Sequence, residues 1–440
     1  MPGMRVEETA EALATAFLAV KRHLEREESL KAGLYEASRT RKPSVNALRL
    51  ARKILHIYAV EEPRISKFLE NALRGEEVEW DAEVLLKLLA AAFSSGLELG
   101  EPEKIVMELR RNLKKFWPES VEPWIGLTRS IAYGVAEVSE AERYPRWFVK
   151  MLRVILGRGE AERLMRFQDE NKPRTYVVLN KLLKPAEKIL EEAEKAGIEL
   201  NPDRRLPGIY VLEKAADTRA LTRLVRKGLL LIQDFSSYYA VFAADPKPGE
   251  TVLDLCAAPG TKTILMGISM LNNGLIISMD SSIQRIRTHL KRVRRAGLKI
   301  VEEIAADATA DLPLRIQADL VLLDPPCSST GLFWREPTYR RSIKPRHVRM
   351  FARLQAKMIE SAAGHVKKGG RLIYSTCSVS LEENELLIED FLKRHPEFEL
   401  SRIEPELGSD GLRGLRKARR LYPHRDLCNG FFVAKLTKKW

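Results

Sequence analysis

From Val6 to about Val135, apolar side chains recur every three or four positions, as in Ala47, Leu50, Ile54 and Tyr58 and again in Val84, Leu85, Leu88 and Leu89. That period puts them on one face of successive helices, so this part of the chain is expected to be all-helical. Pro118, Pro123 and the stretch 126–134 punctuate its last helices. The pattern is mixed over 143–228. There Pro145, Trp147, Pro173 and Thr175 lead into a segment carrying Arg219, Arg223, Arg226 and Lys227, which reads as a small α/β subdomain. Beyond Pro248 and Gly249, short β-branched and Leu-rich runs at 251–255, 275–279, 300–305, 320–323 and 371–375 alternate with helical stretches. This order predicts an α/β, doubly wound parallel sheet with crossover helices. A further strand at 430–435 suits a late edge or antiparallel position. The expected division is 1–139 helical, 140–228 small α/β and 229–440 the large α/β domain.

A chain of 440 residues is too long for one ordinary core, which agrees with two or three domains. Its 74 Lys+Arg against 60 Asp+Glu leave a formal charge of +14, which favours a polyanionic partner, with nucleic acid first among them. No run of 18 uncharged apolar residues occurs and the N-terminus is interrupted by Glu and Arg, so neither a membrane span nor an exported leader is expected. The four cysteines, Cys256, Cys327, Cys377 and Cys428, form no CxxC pair. They predict a reduced, cytoplasmic protein without a metal site, and a monomer is the default.

The segment 251–263, TVLDLCAAPGTKT, is a strand ending in an acidic residue that turns through Pro259-Gly260 into a helix, the arrangement for close approach of a nucleotide-like ligand at a strand's carboxyl end. It lacks the glycines of a dinucleotide fingerprint, and Cys256 and Thr261 stand where a Walker loop needs Gly. A pyrophosphate is therefore disfavoured. A nucleoside without phosphates, such as S-adenosylmethionine, needs the turn but not the anion cradle. Asp280 ends the second strand, where a carboxylate can accept hydrogen bonds from both ribose hydroxyls; Asp307 follows the third and Asp324 the fourth. Any one of these taken alone reads more readily as a turn or cap residue. Asp254, Asp280, Asp307 and Asp324 at one edge of one sheet point to a ligand.

Two of the four thiols follow adjacent strands: Cys327 in 323–331, LDPPCSSTG, and Cys377 in 374–379, YSTCSV. A lone free cysteine usually packs as a small hydrophobe. A pair at the ligand edge suits a different chemistry. Carbon 5 of cytosine is a poor nucleophile until a thiolate adds to carbon 6, which makes carbon 5 enamine-like and able to attack a sulfonium methyl. The carbon 5 proton must then leave through a general base. Asp324 can hydrogen-bond the amino group and a protonated ring nitrogen, with Lys262 orienting it. These residues do not say which thiol attacks, since DNA cytosine methyltransferases use a Pro-Cys at the earlier position.

The motifs DLCAAPGTKT, DPPCSSTG and STCSVSLEENE resemble those of the Fmu (RsmB)/NOL/Sun family of RNA cytosine-C5 methyltransferases, with Thr261 and Ser329 in place of family glycines. The likeness extends to Gln233-Asp234-Phe235-Ser236-Ser237, to Pro423-His424 with Gly430-Phe431-Phe432, and to Pro145-Arg146-Trp147, while Asn429 stands where the family often has Asp. It implies that Cys377 is the attacking thiol, that Cys327 assists release of the methylated RNA, and that the class I Rossmann-like core is joined to a helical N-terminal domain similar in size and position to a NusB-like RNA-binding domain. The residues expected around S-adenosylmethionine are Cys256, Ala257, Ala258, Pro259, Gly260, Thr261, Lys262, Asp280, Arg285, Asp307 and Asp324, and those expected to act in the chemistry are Cys377, Cys327, Asp324 and Lys262.

Basic clusters at 289–299 (Lys291, Arg292, Arg294, Arg295), 335–349 with Phe333, Trp334 and Tyr339 beside it, and 413–425 are candidate RNA contacts. The first also reads as a solvated helix face. The second, next to the DPPC loop, suits phosphate and base contacts to a flipped cytosine. The helical N-terminal region favours ribosomal RNA as substrate. The alternatives are a transfer-RNA cytosine-C5 methyltransferase, a DNA cytosine methyltransferase, an amino-methyltransferase, or a non-catalytic ribosome-assembly or RNA-binding factor; an amino-methyltransferase would carry Tyr where Cys327 stands.

Overall fold

The computed structural model describes residues 6–26, 29–73, 78–93, 99, 102–113, 117, 143–310, 312 and 314–440. Pro118, Pro123 and 126–134 lie outside the described residues. The chain forms two compact units, Met1–Arg166 with Glu336–Lys344, and Phe167–Arg335 with Pro345–Trp440.

The first unit is helical. Helices Val6–Arg26, Leu30–Arg41, Val45–Leu73, Trp80–Phe93 and Pro102–Leu113 bury the periodic positions read from the sequence: Ala47, Leu50, Ile54 and Tyr58 are all in the core with Leu85, Leu88 and Leu89. Helix Trp80–Phe93 buries residues around most of its circumference, as a central helix must. The second helix is capped by Ser29, whose side chain accepts from the Ala32 amide at 3.1 Å. Gly33 allows it to cross the first helix closely, because a Cβ there would lie 2.5 Å from the Ala19 carbonyl oxygen. The short helix Tyr339–Ser342 belongs to this unit, and its Arg340 guanidinium lies 3.9 Å over the buried Tyr144 ring.

The second unit contains two sheets. Strands β1 (Tyr176–Leu179), β2 (Ile198–Pro202), β3 (Ile209–Ala215) and β4 (Leu230–Gln233) form an antiparallel four-stranded sheet in the order β2-β3-β1-β4. The larger sheet has nine strands. Its parallel part consists of β5 (Thr251–Asp254), β6 (Leu275–Asp280), β7 (Val301–Ala305), β8 (Ala318–Leu323) and β9 (Val366–Thr376), in the order β7-β6-β5-β8-β9. The chain runs outward from β5 through β6 to β7 and then returns to the other side of β5 as β8. That reversal splays the connections apart at the carboxyl ends of β5 and β8, which opens a crevice there. Helices Thr261–Ser269 and Ile283–Arg295 pack one face of the sheet, and Pro345–Gly364 and Glu385–Arg394 the other, so β8 is almost wholly buried, as parallel strands usually are.

The remaining strands are β10 (Phe398–Ser401), β11 (Ser409–Asp410), β12 (Arg419–Leu421) and β13 (Phe431–Lys438). β13 is antiparallel to β9, as the sequence suggested, but it is internal rather than an edge. Its eight residues are long enough for β12 to pair along its first half and β10 along its last.

One buried ion pair ties this antiparallel extension to the strand end carrying Cys377. Arg420 of β12 binds both carboxylate oxygens of Glu385, the first residue of its helix, and its Nη1 donates at 3.0 Å to the Val379 carbonyl and to the Tyr422 hydroxyl. Both partners are almost completely excluded from water. Glu385→Ala leaves the guanidinium buried without its anion and is expected to cost about 3–5 kcal/mol, read from the urea midpoint of the full chain; a loss below about 1 kcal/mol would mean the pair behaves as a surface bridge.

Candidate active site

Strand β5 ends at Asp254, and the chain turns at 255–260 into helix Thr261–Ser269. Gly260 adopts φ +104°, where glycine is favoured, and a Cβ there would lie 2.9 Å from His289 Cδ2. The fully buried His289 ring fills that space. Its Nε2 is 3.1 Å from Thr263 Oγ1, which donates to Asp254 Oδ2 at 2.7 Å. Burial drives the His289 pKa down to about 4, so the imidazole is neutral. Burial also pushes the Asp254 carboxyl up to about 7, against the opposing pull of the Thr263 hydrogen bond and Lys262.

Strands β8 and β9 are parallel neighbours with Leu323 opposite Tyr374, so the segments that follow them emerge side by side. Asp324 is held from two directions, by Lys262 Nζ at 2.6 Å on one oxygen and by Ser375 Oγ at 2.7 Å on the other. Burial lowers the lysine's pKa, but Asp324 outweighs it and the ammonium ends up more basic than usual. Beyond this pair, Cys327 Sγ and Cys377 Sγ lie 3.0 Å apart, with Ser329 Oγ 3.7 Å from the second sulfur. The hydrogen bond with Cys377, followed by burial, pushes the Cys327 thiol well above its ordinary range. Burial does the same to Cys256, reinforced by Asp254, Asp324 and Asp280.

Gly331 sets the backbone of this pair. Its N–H donates to the Cys377 carbonyl at 2.9 Å, and its own carbonyl accepts from the Gly430 N–H at 2.9 Å. Any Cβ at Gly331 would collide with the Gly430 carbonyl, so the last glycine of DPPCSSTG is required by backbone approach.

A cavity of about 500 Å3 opens at these strand ends, a size suited to a small-molecule ligand. Cys256, Ala258, Asp280, Arg285, Asp307, Asp324, Cys327 and Cys377 all line it, so three of the four acidic strand-end residues share one space with the two thiols, whereas Asp254 is buried behind the turn against Thr263. Ala257, Pro259, Gly260 and Thr261 shape the turn behind it, and Lys262 reaches Asp324. The Asp280 carboxylate is buried; it accepts from the Ser282 amide at 3.0 Å and pairs with Arg285 at 3.1 Å. Arg285 also donates to the Ala258 carbonyl at 2.6 Å, which clamps the turn. Asp307 is exposed and accepts from the Thr309 amide at 2.9 Å.

The donor set fits S-adenosylmethionine. Asp280 and Asp307 offer carboxylate oxygens to hydroxyls and to a cation, while Leu354 and Met358 give the same cavity an apolar wall for a base. With Lys262 committed to Asp324 and the Gly260 amide to the Ala257 carbonyl, the turn has little to offer a phosphate.

The structure corrects part of the reading of the basic clusters, while Lys344, Arg346, Arg349, Arg413, Arg416 and Lys417 are exposed. Phe333 and Trp334 are buried, not stacking platforms: Trp334 packs 5.3 Å from Phe167 and its Nε1 donates to the Asn171 carbonyl at 2.7 Å. Arg335 is committed to the Arg174 carbonyl and Asp234, Arg340 is buried on Tyr144, and Arg419 and Arg420 are buried with acidic partners. Lys291, Arg294 and Arg295 are exposed, whereas His289 is core. Sequence reasoning missed Ser375, which grips Asp324, and the buried Glu383 and Gln355 beneath the thiol loops.

The description "16S rRNA methyltransferase RsmB/F" matches residues 241–437. The probable ribosomal RNA small subunit methyltransferase B of Bacillus subtilis is 31% identical over 69% of this chain and 68% of its own length. A tRNA (cytosine(72)-C(5))-methyltransferase of Pyrococcus horikoshii is 36% identical over 48% of this chain and 53% of its own length, so the match spans about half of that protein. Among solved structures, PH0851 is 28% identical and superposes with a TM-score of 0.77 over 98% of this chain and 99% of that one. NSun6 from Pyrococcus horikoshii with SFG, an S-adenosylmethionine analogue, is 25% identical with a TM-score of 0.61 over 67% and 98%.

The depressed His289 pKa gives a pH test of the turn. A neutral buried imidazole contributes stability that is present above its unfolded pKa near 6.5 and is lost as pH falls towards about 4. The stability advantage of the parent over His289→Gln is expected to shrink by roughly 3 kcal/mol between pH 7 and pH 4, measured by denaturant titration; a constant difference across that window would refute the assignment.

Proposed function

The chain belongs to the RsmB/F family of RNA methyltransferases, and from that premise we propose that it methylates carbon 5 of a cytosine in ribosomal RNA through a covalent adduct on Cys377. S-adenosylmethionine is its cofactor and RNA its substrate class. The observation that carries the proposed mechanism is the pair of sulfurs 3.0 Å apart in the cavity that also holds Asp280, Asp307 and Asp324.

The chemistry follows from what each side chain can do. Bound S-adenosylmethionine supplies an electrophilic methyl group. Cys377 Sγ forms a bond to carbon 6, and the displaced electron pair makes carbon 5 nucleophilic. Asp324, fixed by Lys262 and Ser375, faces the ring's amino group and N3 and favours the protonated, charge-shifted form. After methylation the carbon 5 proton passes to water. The carbon–sulfur bond then breaks, with its electrons returning to Cys377. Cys327, held as a neutral thiol, donates a hydrogen bond to that leaving thiolate and speeds release. Asp280 and Asp307 are assigned to the cofactor's ribose and cationic groups, with Arg285 and the turn 256–261 positioning them.

Ribosomal RNA is favoured by the Bacillus relative, which matches over most of its length, and by the helical first unit. The Pyrococcus tRNA methyltransferase supports transfer RNA as the second reading, and bisulfite sequencing of both RNA pools from cells with and without the gene separates the two. We assign residues 1–139 to RNA binding, 140–228 to an RNA-binding subdomain and 229–440 to catalysis, in a cytoplasmic monomer. Among the described residues no helix is long and apolar enough to cross a membrane.

Cys377→Ala is expected to abolish methylation, while Cys327→Ala accumulates a covalent protein–RNA species visible on a denaturing gel; parent-like turnover in both variants would end the assignment. Asp280→Ala is expected to weaken S-adenosylmethionine binding by about tenfold or more by calorimetry, the loss of roughly 1.5–3 kcal/mol for a charged hydrogen bond. Unchanged affinity would remove Asp280 from the cofactor site.

A further inference from the structure

The residues immediately after the two cysteines converge on one buried carboxylate. Glu383 is fully excluded from solvent. Its Oε1 accepts from the Ser328 amide at 2.8 Å and from Gln355 Nε2 at 3.0 Å, while Oε2 accepts from Ser378 Oγ at 2.6 Å, Ser380 Oγ at 3.0 Å and the Ser328 hydroxyl. Gln355 also donates at 2.8 Å to the carbonyl of Pro326, the residue before Cys327. Thr330 Oγ1 lies 3.0 Å from Ser378 Oγ and accepts from the Val379 amide at 3.0 Å, which closes the network around both loops. Among the described residues no Lys or Arg forms an ion pair with Glu383, and the buried Arg420 is taken by Glu385.

We propose that Glu383 is a positioning residue for both reacting sulfurs, its carboxylate fixing Ser328 and Ser378 and through them the spacing of Cys327 and Cys377. This rests on the methyltransferase reading above and deepens it. A buried anion satisfied only by neutral donors is costly, since removing a carboxylate from water is repaid only where every lone pair finds a donor. An amide at this position would keep most of the hydrogen bonds at lower cost. What an amide lacks is the charge, and the charge lies beside Cys327. The titratable groups that act on that thiol are Cys377, Glu383 and Tyr374, with Asp324 and its partner Lys262 bordering the same pair. The hydrogen bond with Cys377 and burial do most to disfavour a thiolate at Cys327, and with Lys262 spent on Asp324 the Glu383 charge adds to them. Glu383 thereby adds to what keeps Cys327 protonated, as the donor that Cys377, 3.0 Å away, needs when it leaves.

The test is E383Q in the full chain. Turnover number on RNA is expected to fall by about tenfold or more, the scale of weakening a preorganised donor aimed at the leaving thiolate, with KM for RNA and for S-adenosylmethionine within about twofold. In parallel, iodoacetamide labelling followed by peptide mass spectrometry reads the pH midpoint of Cys327 alkylation. That midpoint is expected to move down by about one pH unit when the anion is lost. Parent-like turnover overturns the proposal, and so does a fall in turnover with an unmoved midpoint, because loss of packing alone would give that. If E383Q does not fold, Ser328→Ala and Ser378→Ala each remove one donor. Both are expected to lower turnover by about threefold or more, the effect of roughly 1 kcal/mol, and parent-like values in both overturn the proposal. Absence of 5-methylcytosine with the parent enzyme would instead strike the functional reading, and the alkylation profile would still judge Glu383.

Discussion

The arrangement depends on one constraint: two thiols carried by loops after neighbouring parallel strands must stay within hydrogen-bond distance of each other. β8 and β9 supply the register, which places Leu323 opposite Tyr374 and lets both loops leave the sheet on the same side. Gly331 then pins the Cys377 carbonyl, and Gly430 pins Gly331. The close backbone approach explains why two glycines from distant parts of the chain meet where no side chain fits. The reversal of strand order between β5 and β8 provides the space in front of the sulfurs.

Electrostatics divides that space. On one side Asp280, paired with Arg285, and the exposed Asp307 line the cavity, and Arg285 also clamps the turn through the Ala258 carbonyl. On the other, Asp324 is balanced by Lys262, so it can face a polar ring without a net buried charge. Burial, which outweighs the nearby Arg285, pushes the Cys256 thiol up, and the hydrogen bond with Cys377 together with burial does the same to Cys327. The same low-dielectric surroundings hold His289 neutral beneath the turn, which makes the loop's stability sensitive to acid.

The layout of the parallel part of the sheet was readable because β5, β6 and β8 are short apolar runs that end in or just before an acidic residue, and such punctuation is local. The pairing of Lys262 with Asp324 was readable for a chemical reason: a lysine at the start of one helix and a carboxylate at a strand end on the same sheet edge have few other partners. Glu383 and Ser375 were not readable. A glutamate just before a helix is unremarkable in sequence, and its burial follows only from the packing of helix Pro345–Gly364 and strand β9 around it. The aromatic residues beside the DPPC loop misled because Phe333 and Trp334 resemble a stacking platform until Phe167 and Asn171, some 160 positions earlier, are seen to bury Trp334. The internal place of β13 was hidden likewise, since β10 and β12 are too short to show a clear alternation.

The central claim is that the sulfur at 377 bonds to the pyrimidine. Incubating the enzyme and S-adenosylmethionine with RNA in which the target cytosine carries fluorine at carbon 5 blocks the final proton loss and traps the covalent species. Peptide mapping of that species by mass spectrometry then locates the bond. The account predicts a nucleotide on the peptide containing Cys377 and none on Cys327; linkage at Cys327, or no linkage while methylation of ordinary RNA proceeds, would contradict it.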